Sequence, residues 1–143
     1  MRKISNLWCL AVMLTACAQM PAAPPMPPAP PEKGVQLVAG PYVVPAGKEK
    51  YFCYAMTLNE AAQVAITKVE SFQGVEVHHL AAFKTLLPEP DGFSECPVII
   101  KNTWIPVYAN GTGNHAMPLP PGAGFPLKQD EQLLVQLHLL NSS

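Results

Sequence analysis

The sequence predicts an all-β fold, an antiparallel β-sandwich of jelly-roll type. Three observations carry that expectation. Short runs rich in β-branched and aromatic residues recur along the chain, turn-forming clusters separate them, and no segment has the length and 3.6-residue period of a convincing helix. The first run, KEKYFCYAMTL (48–58), is aromatic and alternating, and AQVAITKVE (62–70) alternates cleanly. GVEVHHLAAFKT (74–85), PVII (97–100), WIPVYA (104–109) and QLLVQLHLLN (132–141) follow. The breakers are Pro45-Ala46-Gly47, Asn59-Glu60, the Pro88–Gly92 segment and the long NGTGNHAMPLPPGAGFPLKQD stretch. Glycine, proline and asparagine favour turns there through their backbone preferences. The strand count is low for a sandwich, so the domain is expected to be incomplete at its C-terminus.

The chain divides into residues 1–16, a lipoprotein signal peptide; 17–34, a proline-rich linker; and 35–143, the folded domain. Arg2 and Lys3 precede a short apolar run from Leu7 to Leu14, too short to span a bilayer. Leu14-Thr15-Ala16-Cys17 then resembles a bacterial lipoprotein signal, with Cys17 as the lipidated residue; an ordinary secretory cleavage near Ala16 is the alternative. Two or more acyl chains would give a stable membrane anchor, which one would not. The expected location is the cell envelope, at the outer membrane and facing the periplasm. Seven prolines between Pro21 and Pro31 make the next segment a polyproline-II spacer, on the order of 30–35 Å if extended.

Export bears on the cysteines. Cys9 leaves with the signal and Cys17 carries lipid, so Cys53 and Cys96 remain. In an oxidising compartment they most simply pair, and such a loop would stabilise the fold by about 4 kcal/mol in the chain-entropy account. A two-cysteine metal site is the weaker alternative, since neither lies in a CxxC. From Val35 onward there are lysines but no arginine, and acids outnumber lysines, which argues against a nucleic-acid surface.

VEVHHLAAF (75–83) sets two histidines side by side in an apolar, β-prone run. With strict alternation, Val75, Val77, His79, Ala81 and Phe83 share one face and Glu76, His78, Leu80, Ala82 and Lys84 the other. In the last strand Leu133, Val135, Leu137 and Leu139 form the expected core face, leaving His138 opposite with Gln132 and Gln136. His78 and His138 can meet if their strands are neighbours. Ideal pleating points His79 into the core, so a three-histidine site needs a bulge, a sharp twist or a strand end at 78–79. A buried, hydrogen-bonded histidine pair is the competing reading of the same residues. His115 and Met117, read as a soft metal pair, sit in a Gly- and Pro-rich loop and are expected to hold no ligand. No nucleophile motif, phosphate loop or paired-carboxylate constellation is present.

The order YFCYAMTL, VHHLAAF, Glu95-Cys96, WIPVYANG, PLPPGAGFPL and EQLLVQLHLLN resembles the amino-terminal domain of the copper type II, ascorbate-dependent monooxygenases. That group contains the peptidylglycine α-hydroxylating and dopamine β-monooxygenases. The resemblance covers residues 35–141, about the whole folded part. It implies that His78, His79 and His138 are the three ligands of one copper, that Cys53 pairs with Cys96, and that His115 is not a ligand. It further implies that this copper supplies electrons, with ascorbate or another reductant as donor. A second copper, held by two histidines and a methionine of a following domain, would bind oxygen and hydroxylate a C–H bond. These residues have no counterpart here, so the expectation is a truncated or split enzyme, its second domain supplied by a separate chain. Other readings compete with it: a non-catalytic copper-binding or redox-carrier lipoprotein, a zinc hydrolase, ranked last among the metal functions for want of a general base, and a metal-free structural sandwich as the fallback.

Overall fold

The computed structural model describes residues 26–59, 64–96 and 99–143. Cys17, the expected signal peptide and the first part of the expected linker lie outside the described residues. Residues 26–34 are exposed and form no regular element. The domain is all-β, as expected, and every strand pair is antiparallel.

Nine strands follow one another: β1 (Lys48–Thr57), β2 (Val64–Ile66), β3 (Lys68–Ser71), β4 (Val77–Thr85), β5 (Gly92–Glu95), β6 (Trp104–Asn110), β7 (His115–Pro118), β8 (Phe125–Leu127) and β9 (Gln132–Asn141). Five of them make the main sheet in the order β5-β1-β9-β4-β6, and two ribbons, β2–β8 and β3–β7, form the second layer. The last strand therefore lies at the centre of the sheet, zipped to β1 from Lys48↔Asn141 to Thr57↔Gln132 and to β4 on its other side. A central strand is covered on both faces, and the sequence of β9 reflects this. Leu134 and Gln136 are almost fully buried on one face, Leu137 and Leu139 on the other.

Two apolar clusters follow from that alternation. Cys53, Ala55, Phe83, Cys96, Trp104 and Leu134 pack together with Tyr51 and Ala81. Phe52, Leu137 and Leu139 pack on the opposite face with Tyr42, Val44, Val77, Leu80 and Val135. Tyr42 stacks on both Phe52 and Phe93, tying the segment before β1 onto this second face. The ribbons cover the same face. Tyr108, the cross-strand partner of Ala82, brings its hydroxyl within 2.9 Å of Ser71 Oγ on β3 and 3.1 Å of His115 Nδ1 on β7. Lys84 reaches the Pro126 carbonyl on β8 and pairs with Glu131 at 2.6 Å.

Four local expectations are corrected. Ile99 and Ile100 are exposed and outside any strand, and Pro97 and Val98 lie outside the described residues. Gly92, at φ 97°, opens strand β5 rather than ending a loop, because glycine alone adopts that backbone without strain. His115 and Met117 stand on strand β7, paired with Ser71 and Val69, not in an irregular loop. The core face assigned to β9 was one of two: the face carrying Leu134 is buried as deeply as the leucine-rich one.

Candidate metal centre

The position of the histidines is decided by a single irregularity in the β4–β9 ladder. Val77 pairs with Leu139 and His79 with His138, so one residue of β4, His78, has no partner across the ladder. An extra residue inserted in this way shifts the alternation by one and bends the strand. Val77 and Leu80 consequently pack in the leucine-rich cluster, while Ala81 and Phe83 join the cluster of the disulfide. His79 keeps the parity of Ala81, faces away from the leucines, and lies directly opposite His138. Of the bulge, sharp twist or strand end that a three-histidine site needs at 78–79, the β4–β9 ladder has the bulge.

The three rings converge through the same atom. His138 Nδ1 lies 3.2 Å from His79 Nδ1, which lies 3.4 Å from His78 Nδ1. One ligand atom from each ring falls within 4.8 Å of the others, so His78, His79 and His138 could hold a metal ion. His138 forms the buried floor, His79 is half-buried and His78 is exposed, which leaves the cluster open on the His78 side. Burial, followed by the His138 and His78 imidazoles, lowers the pKa of His79 and favours its neutral, ligating form. Three ring nitrogens this close repel one another unless a proton or a cation lies between them. An all-imidazole set suits copper or zinc and lacks the oxygen ligands preferred by calcium and magnesium.

Strand β1 contributes two residues that sequence reasoning missed. Tyr51, the cross-strand partner of His138, stacks on its ring at 4.2 Å and 3°. Glu49, one step further out on the same face, places Oε2 2.8 Å from His138 Nε2. Alternation in KEKYFC puts Glu49, Tyr51 and Cys53 on one face, but only the β1–β9 register shows that this face meets His138.

Cys53 and Cys96 are joined in a disulfide with their Cα atoms 5.6 Å apart, both buried beneath the sheet. It lies on the same face as the histidines, since Cys53 pairs with Gln136, two residues from His138. His115 is not brought to the cluster; its ring nitrogen meets the Tyr108 hydroxyl instead. Among the described residues the three histidines are the one group with metal-ligand geometry. No protein-family model and no curated protein matches the sequence.

Proposed function

We propose that this chain is a copper-binding domain of the copper type II, ascorbate-dependent monooxygenase kind, with His78, His79 and His138 holding the copper that supplies electrons. The observation that carries the reading is the bulge at His78, which lets two adjacent residues of one strand and a third from its neighbour aim the same nitrogen at one point. A strand without that irregularity would point His78 and His79 to opposite faces.

The residues divide the work by burial. His138, 7% exposed, anchors the site in the sheet and excludes water from its inner side. His79, kept neutral, faces it across the ladder. His78 closes the outer side and leaves room for a reductant to approach. Copper bound there would supply one-electron chemistry, accepting an electron from ascorbate or another donor and passing it on. Hydroxylation of a C–H bond would then depend on a second, oxygen-binding copper domain. Lipidation at Cys17 and the proline-rich spacer would hold the domain off the outer membrane, facing the periplasm.

A non-catalytic copper-binding or redox-carrier lipoprotein is the second reading, favoured by the single ligand cluster among the described residues. One experiment addresses copper in both: titration of Cu(II) and Cu(I) into the protein and into single alanine variants. About one copper should bind per chain, His78→Ala, His79→Ala and His138→Ala should each weaken binding, and His115→Ala should not. The loss should be larger for Cu(II), because a two-imidazole site tolerates Cu(I) better. Undiminished binding in all three ligand variants would refute the site. Substrate oxidation on addition of an oxygen-binding partner would then separate enzyme from carrier.

A further inference from the structure

We propose that Glu49 is a positioning residue of this centre, fixing His138 with its proton on Nε2 so that Nδ1 presents a lone pair to the metal. The inference rests on the copper reading above and deepens it. A neutral imidazole carries one N–H and one lone pair, while an ionised carboxylate can only accept. With Glu49 Oε2 2.8 Å from Nε2, the N–H belongs on Nε2, and Nδ1 is the nitrogen that faces His79 at 3.2 Å. The arrangement is therefore directional: the ring offers its donor outward to the carboxylate and its acceptor inward to the cluster.

The fold prepares this contact from strand β1 alone. Tyr51, paired with His138, covers one face of the ring, and Glu49, two residues earlier and on the same side of the strand, reaches past it to the ring's edge. His138 is nearly inaccessible, so few waters compete for its nitrogens. The Glu49 side chain is 60% exposed, so its replacement perturbs little packing. An anionic acceptor on the remote nitrogen also makes a ligating imidazole more basic. That favours the higher charge of Cu(II) over Cu(I), so Glu49 biases the centre towards the oxidised form as well as orienting its deepest ligand.

The test uses the full chain with Cu(II) and Cu(I), each titrated against a competing chelator, in the wild type, Glu49→Gln, Glu49→Ala and His138→Ala. Nitrogen–proton correlation spectra of the metal-free protein report the tautomer of His138. The wild type should carry the proton on Nε2. Glu49→Ala should populate the Nδ1–H form and weaken Cu(II) roughly ten- to a hundredfold, with a smaller loss for Cu(I). Glu49→Gln, which keeps an acceptor oxygen and loses the charge, should retain the tautomer and fall between the two. Should the alanine variant fail to fold, this near-isosteric variant carries the comparison. Cu(II) affinity in Glu49→Ala within about twofold of the wild type, while His138→Ala binds poorly, would overturn the role of Glu49 alone. Unchanged binding in His138→Ala would overturn the copper reading on which it rests.

Discussion

Replacing Cys53 and Cys96 together by alanine removes a cross-link between residues 43 apart in sequence. In the chain-entropy account, closing a loop of that length restricts the unfolded chain by about 4 kcal/mol at room temperature. The folded side adds to this. Both sulfurs sit in the cluster formed by Ala55, Phe83, Trp104 and Leu134, and Gln136 Nε2 approaches Cys96 Sγ at 3.8 Å. The bridge also holds Cys96, just beyond edge strand β5, against β1, where Cys96 N–H donates to the Tyr51 carbonyl. Urea unfolding followed by circular dichroism should place the double variant about 2–5 kcal/mol below the oxidised wild type. The reduced wild type should lose a similar amount, since the entropic part depends on the covalent bond and not on the sulfur atoms. The histidine cluster is held by the β4–β9 ladder, so copper binding should persist wherever the variant remains folded. A loss under about 1 kcal/mol would show that neither the loop closure nor the burial of the bridge contributes.

Leu134→Ala, at the most buried apolar position of β9, should cost about 2–5 kcal/mol in the same unfolding assay; a cost near zero would show that the face beneath the disulfide is not a packed core. Glu89 accepts hydrogen bonds from Lys101 Nζ and Trp104 Nε1, and the Lys101 contact above all holds its carboxyl below the ordinary value of 4.5. The unfolded chain binds that proton more readily, so the contribution of Glu89 is present above about pH 4.5 and is lost as pH falls through the folded value. Glu89→Gln should flatten the acid limb of the stability curve, and an unchanged limb would contradict the assignment. His115→Phe should remove the contact with Tyr108 while leaving copper stoichiometry as in the wild type; loss of copper would place His115 in the site.

The all-β class, the main strands β1, β4, β6 and β9, and the need for a bulge, a sharp twist or a strand end at 78–79 were legible from alternation and turn residues, because those features are local. The limits appear where a residue's environment depends on distant pairing. Strand β5 was invisible because GFSE has little β-prone character, and it forms by pairing with Phe52 to Ala55 of β1. Strands β7 and β8 are short, proline-bearing pieces of a stretch that reads as loop, held by β3 and β2. The core assignment in β9 erred for the same reason: Leu134 and Gln136 read as the weaker face, but a strand between two neighbours, with the disulfide on one side and the ribbons on the other, has no outer face. Glu49 and Tyr51 could not be placed beside His138 without the β1–β9 register, which no local pattern specifies.

Three imidazoles from two neighbouring strands are proposed to hold one metal. X-ray absorption of the copper-loaded protein, combined with pulsed electron resonance of its Cu(II) form, counts the imidazoles on the metal directly. Three are expected in the wild type and two in His138→Ala, with His115→Ala indistinguishable from the wild type. A wild-type centre with fewer than three imidazoles, or a His138→Ala spectrum identical to the wild type, would contradict it.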